Sequence, residues 1–259
     1  MRTLSHGCYH NIMNKLFYRF EDENLNTRDV AESLIGEILE KAKPVSSCWW
    51  SKLKSRTDDF KDNLHKLKEN QIGLLKGLPP NGDKTGPTMK SCPGVLDLFN
   101  RAFLVKSPCD IVLTTDSNGT FYYDIADTSM ITIDTHEEEQ FLQPGNDLFE
   151  NKVCIKFMLK VRLKTSGFGY LLTTPTYHSA LGFTVPTGCV EGNYANNQYL
   201  NIITFLDLPK ADETKTLTIR KGSVLAYLVP FEKCRLSFSK DNFILKRLYS
   251  GFSSKFWFR

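Results

Sequence analysis

The spacing of apolar and polar residues divides the chain near residue 90. Before it, apolar positions recur at helical intervals. Val30, Leu34, Ile35, Ile38 and Leu39 form one stripe with acidic residues between them, the pattern of an amphipathic helix. Asn26 or Thr27 stands where a capping side chain is expected, and Pro44 is a stop signal. A second helix is expected over 51–72, where Phe60, Leu64 and Leu67 share a face. Each such face needs a partner surface: the other helix, the rest of the chain, or another subunit. Residues 77–88, with three Gly and three Pro, read as a linker or long loop. The expected organisation is a helical N-terminal region over 1–90 and a second domain over 91–259.

Gly94–Phe103 suggests one short helix with Leu96, Phe99 and Phe103 on one side. From about residue 104 the period changes. Segments rich in β-branched and aromatic residues recur between turn signals. They are Asp110–Thr115, Thr120–Ile125, Met130–Asp134, Lys152–Lys164, Tyr170–Thr173, Gly182–Val185, Tyr199–Leu206, Lys215–Ile219, Val224–Phe231 and Cys234–Phe238. Ser117-Asn118-Gly119 reads as a hairpin turn and Arg220-Lys221-Gly222-Ser223 as another tight turn. Short strands without long helices between them predict a mainly β, α+β chain with a β-sandwich or barrel, not a parallel α/β sheet. The last twenty residues fit a helix or a strand equally.

Composition narrows this picture only a little. With 259 residues, 41% hydrophobic and 24% charged, the chain can bury one large core or two small ones and is not disordered as a whole. The net charge of +4 is a cancellation. Residues 1–90 carry 15 basic and 12 acidic groups (+3), 91–232 carry 11 and 16 (−5), and 233–259 carry 7 and 1 (+6). No run of eighteen apolar residues exists, so no membrane span is expected. No secretory signal is recognisable at the start. The seven cysteines, at 8, 48, 92, 109, 154, 189 and 234, include no CxxC pair. Free thiols in a reducing compartment are therefore expected, several of them as small core residues.

Candidate chemistry is sparse. His178 follows Tyr177 and can act as a base, but a loop histidine with a satisfied ring is the plainer reading. His136-Glu137-Glu138-Glu139 offers ligand-type side chains. A zinc site needs three or four ligands converging from several places, so a solvated acidic loop fits better. Trp49-Trp50, with Lys52, Lys54 and Arg56 behind them, can stack on bases or sugars. They can equally anchor one region on the other. The terminal Phe256-Trp257-Phe258 poses the same choice, and aromatics so dense are expected to dock on a surface. Asn118-Gly119-Thr120 fits a glycosylation acceptor but, without export, is a turn. No Walker loop, GxGxxG before a helix, HExxH or GxSxG is present.

Residues 175–230 say more. Gly188, Val190, Glu191 and Tyr194 match a Gly-hydrophobic-hydrophobic-Asp-x-x-Tyr hairpin motif, with Glu for Asp. After a strand, Lys221-Gly222 leads to Leu225-Ala226-Tyr227-Leu228, matching Lys-Gly before Ile-Ala-Gln-Leu with Tyr227 in place of Gln. Upstream, Cys109-Asp110-Ile111 matches a Tyr-Asp-Leu motif. In order and spacing these elements resemble the trimeric dUTPase and dCTP deaminase superfamily. That resemblance implies a β-clip core. It also places Asp110 and Glu191 where a carboxylate would orient water or Mg²⁺, and Tyr194 where a ring would pack on base or sugar. The superfamily's phosphate-holding Pro-Arg-Ser element is here Pro175-Thr176-Tyr177, and neither Thr nor Tyr replaces an Arg fork. The glycine-rich closing motif has only an echo in Gly251-Phe252-Ser253-Ser254. A broader resemblance, over about residues 90–240, is to a family encoded by tailed phages and some bacteria. It rests on Cys92-Pro93, Pro108-Cys109-Asp110-Ile111 and Lys221-Gly222 through Val229-Pro230-Phe231.

Together these features lead to an expectation of a non-catalytic binding or assembly protein, virion structural in character, on a dUTPase-like scaffold. It would act in the host cytoplasm or the virion, without a cofactor, by self-association or by contact with another phage or host protein. Trp49, Trp50, Phe256, Trp257 and Phe258 are the candidate partner contacts. Thr176, Tyr177, His178 and Tyr194 are the candidate ligand contacts. Two alternatives stand beside it: a divergent nucleotide-processing enzyme using Asp110 and Glu191 with Mg²⁺, and a nucleic-acid or host-protein binder using the basic tail.

Overall fold

A computed structural model describes residues 14–42, 92–135, 151–178, 182–190 and 199–239. Strands take up 53% of these residues, against two α-helices, so the chain is mainly β. The organising element is the fourteen-residue strand β7 (Lys152–Thr165). Its odd-numbered residues from Val153 to Thr165 are all buried, the period-2 pattern of a strand with one face on a core. One flank of β7 pairs antiparallel with β11 (Tyr199–Asp207) along nearly its whole length. The other flank is shared end to end. Ile155–Leu159 pair with β6 (Ile131–Thr135), and Val161–Thr165 with β1 (Asn14–Phe20). The handover falls at Lys160. Its carbonyl accepts from Glu21 N–H, and its own N–H donates to Met130 O. β14 (Cys234–Phe238) lies parallel to β1, and β9 (Phe183–Thr184) closes the far side of β11.

A second sheet has the order β10 (Gly188–Val190), β8 (Tyr170–Thr173), β13 (Val224–Pro230), β3 (Phe103–Lys106), β2 (Leu39–Lys41). A third, smaller sheet has the order β12 (Thr214–Ile219), β4 (Ile111–Asp116), β5 (Phe121–Ile125). Leu16, Phe157 and Leu159 of the first sheet, Val105 and Leu228 of the second, and Ile111, Leu113 and Ile219 of the third belong to one continuous core. Burial of each such aliphatic or aromatic side chain stabilises the fold by roughly 1.5–3 kcal/mol.

All ten strands expected from the β-like segments are present, with ends shifted by at most a residue or two. The helical reading of residues 1–90 needs correction. Helix α1 spans Arg28–Ile38 and buries Ala31, Ile35 and Ile38. Asn14–Phe20 is a strand, and the chain leaves α1 directly into β2 rather than continuing to Pro44. Leu16, Tyr18 and Phe20 point to the core, a period-2 alternation inside the segment read as helical. Val30, placed on the buried stripe, is exposed. Thr27 occupies the N-cap without a side-chain bond. Asn26 instead holds the end of β1, accepting from Phe20 N–H and donating to Phe20 O, both at 3.0 Å. The expected helix over 51–72 and the linker over 77–88 lie outside the described residues.

Helix α2 (Pro93–Arg101) begins on a proline whose missing N–H costs nothing at a helix start. It packs Val95 and Phe99 on the outer face of the second sheet, where Leu104 and Tyr227 complete a smaller core. Phe103, expected on the helix face, is instead the first residue of β3. Phe103 and Val105 face the main core while Leu104 faces α2. A strand buried on both sides has no polar alternation to reveal it. No helix among the described residues is long and apolar enough to cross a membrane. Cys109, Cys154 and Cys234 are buried, Cys92 and Cys189 are exposed, and all five are free thiols.

Candidate functional site

Asp110 sits where the chain passes from β3 in the second sheet to β4 in the third. A second crossing, from β12 back to β13, runs beside it through Arg220–Ser223. The two crossings are stitched together by backbone and side chain. Ser107 N–H donates to Ser223 O, and Gly222 N–H donates to Ser107 O, both at 2.8 Å. Gly222 has φ +82, a conformation that a residue with a Cβ adopts only under strain, which accounts for glycine there. Asp110 Oδ1 accepts from Lys221 N–H at 2.6 Å, and Oδ2 accepts from the Arg220 guanidinium at 3.3 Å. The Lys221 N–H bond, followed by Arg220, holds the Asp110 carboxyl below its ordinary range. Lys221 Nζ in turn pairs with Glu37 Oε2 of α1 at 2.7 Å, so the crossing is also fastened to the helix. Beneath it Ser107 Oγ, fully buried, donates to Cys109 O at 2.7 Å. The Cys109 thiol donates to Asp127 O, and burial pushes its pKa up.

The second group of candidates forms a different arrangement. Thr176, Tyr177 and His178 lie in the turn after β8. Tyr177 and His178 both set their rings edge-on to Phe99 of α2, at centroid distances of 5.7 and 5.1 Å. Adjacent residues on a strand would point oppositely, whereas a turn lets both reach one ring. The Tyr227 hydroxyl accepts from Tyr177 N–H at 3.2 Å and lies 2.5 Å from His178 Nδ1. The one phenol oxygen thus engages both residues of the turn, the Tyr177 backbone and the His178 ring. Burial raises the Tyr227 pKa, so the phenol stays protonated. Thr176 Oγ1 makes a long 3.4 Å bond to Thr174 O.

Tyr227 thus ties the loop after β8 to the second sheet. Sequence reasoning marked it only as a departure from the motif. Gly169, also unmarked, has a structural reason. A Cβ there would lie 2.7 Å from Val190 O and 2.8 Å from the Phe231 ring. The motif residues Glu191 and Tyr194 lie outside the described residues, as do Trp49, Trp50, Phe256, Trp257, Phe258 and the His136–Glu139 run. Among the described residues no group of three or more His, Cys, Asp or Glu side chains could hold a metal ion.

Among the described residues, two exposed tyrosines lie on β5 of the third sheet, on its opposite faces. Tyr122 and Tyr123 are 69% and 49% exposed. Its outer face carries Tyr122 and Asp124 of β5, Val112 and Thr114 of β4, and Thr216 and Thr218 of β12, with the Thr114 and Thr216 hydroxyls hydrogen-bonded at 3.2 Å. No family model, curated protein or solved structure matches this chain.

Proposed function

We propose that this chain is a non-catalytic binding or assembly protein, built on a scaffold of β-clip type and belonging with the proteins encoded by tailed phages. On this reading it works in the host cytoplasm or the virion by self-association or by contact with another phage or host protein. The observation that carries the reading is the employment of Asp110. Both of its oxygens hold the Arg220–Ser223 crossing. A carboxylate bound by two donors, with a lowered pKa, is a weak base for activating water. Tyr177 and His178 similarly serve packing under α2. Thr176 and Tyr177 bring no guanidinium to grip a triphosphate.

The test is a panel of deoxynucleoside triphosphates with Mg²⁺. The expected result is no release of pyrophosphate or ammonia and no thermal shift with any nucleotide. Turnover abolished by Asp110→Asn would overturn the reading in favour of a nucleotide-processing enzyme.

A further inference from the structure

Strand β5 is the edge of the third sheet among the described residues. Of the five large apolar side chains left exposed there, Val30, Val112, Tyr122, Tyr123 and Phe231, three lie on this small sheet. The hydrogen bonds of the hairpin determine which backbone groups of β5 face outward. Asp116 N–H donates to Thr120 O, and Ala126 N–H donates to Asp110 O, both at 3.0 Å. Since alternate residues of an antiparallel strand face the same neighbour, Thr120, Tyr122, Asp124 and Ala126 turn their polar groups toward β4. Phe121, Tyr123 and Ile125 turn theirs to the open edge.

We infer that β5 pairs antiparallel with β5 of a second copy about a two-fold axis at Tyr123, joining two third sheets into one. The inference rests on the assembly reading above and names its surface. In this register Tyr123 exchanges both backbone bonds with Tyr123 of the second copy, and Phe121 does so with Ile125. Every outward donor and acceptor of the strand is then used. The core-side residues Phe121 and Ile125 meet each other. On the outer face Tyr122 stands opposite Asp124, so the phenol can donate to a carboxylate and no like charges oppose. Other registers are worse. An axis at Asp124 sets two carboxylates against each other, which is destabilising. An axis at Tyr122 leaves Ile125 opposite Gly119 in the turn. A shift by one residue sets the core-side face of one copy against the outer face of the other. The self-complementary run makes the contact isologous and closed, as a two-fold dimer requires. The strand has five residues, so the contact is smaller than a standard stable interface and predicts a weak, concentration-dependent dimer.

Sedimentation velocity of the full chain over a rising concentration series reads the association. Tyr123→Pro removes the outward N–H at the axis without touching a bond to β4. It should raise the dimer dissociation constant roughly tenfold or more while the melting temperature stays close to that of the unaltered chain. Position is read separately by mild oxidation of two single variants. Paired residues of this kind have Cα atoms roughly 5.5 Å apart, within disulfide reach. Tyr123→Cys should therefore give a covalent dimer whose linked peptides join position 123 to position 123, and Tyr122→Cys should not link to itself. A chain monomeric at every concentration, with no 123–123 link, overturns the pairing. So does association indifferent to Tyr123→Pro, or self-linking of Tyr122→Cys. None of these outcomes decides the proposed function, which fails separately on nucleotide turnover.

Discussion

The carboxylate of Asp110 accepts the backbone N–H of Lys221 at 2.6 Å, across 111 residues of sequence. That bond joins the two points at which the chain passes between the second and third sheets. The residues that make the motif Lys221-Gly222 recognisable are therefore explained by the crossing itself. Gly222 supplies the left-handed turn, the Lys221 backbone supplies the donor, and Asp110 holds it.

Acid should loosen this crossing. The folded-state pKa values of Asp110, Asp127 and Asp207 all lie below the ordinary value: Asp110 through the Lys221 N–H, Asp127 through Ser129, and Asp207 through Lys152. A depressed carboxylate contributes stability that is complete above the unfolded pKa, near about 4, and is lost as pH falls through the folded value. Melting temperature followed from pH 6 downward should fall below about pH 4. In Asp110→Asn the curve should start lower and fall less steeply. An equal slope in both proteins would assign the acid sensitivity to other groups.

Gly222→Ala should be destabilising by about 1–2 kcal/mol, the cost of a Cβ in the left-handed region. Urea unfolding measures this as a lower midpoint at unchanged slope. Gly36, within α1 and with open space around it, is the control. Gly36→Ala should stabilise by roughly 0.4–1 kcal/mol.

Tyr227→Phe removes the hydroxyl that receives Tyr177 N–H and meets His178, leaving the ring in place. A cost of up to about 1 kcal/mol is expected, since a part-buried N–H loses its acceptor. The specific signature is faster hydrogen exchange at Tyr177 and His178 with little change in β7. Uniform acceleration across the sheets would show that the hydroxyl supports the whole fold rather than this loop.

Gly169→Ala forces its new methyl group against Val190 O and the Phe231 ring. The carbonyl belongs to a strand and cannot yield cheaply, so a loss of about 1–3 kcal/mol is expected. Thermal melting tests it. Gly169→Ala combined with Phe231→Ala should recover only part of the loss, because the carbonyl clash remains.

The strands were legible wherever one face is buried and the other wet. β7, β11 and β4 alternate openly, and the Ser117-Asn118-Gly119 turn marks its own hairpin. β1 alternates as well, through Leu16, Tyr18 and Phe20, yet it was absorbed into a helical reading of its neighbourhood. β3 was not legible at all: with Phe103 and Val105 in one core and Leu104 in another, its first three positions are all apolar and period carries no information. β2 follows α1 without a break, and three residues are too few to show a period.

Local spacing therefore established the mainly β character, the turns and a helix starting after Asn26 or Thr27, though not where that helix ends. Which residues meet was decided by tertiary structure. Asp110 finds Lys221, Tyr227 finds His178, and β1 finds β7 and β14 because three sheets close on one core. The physical reason is range. Side-chain period and turn chemistry act over a few residues, whereas a carboxylate's role depends on the donor that faces it, and here that donor comes from the far end of the chain.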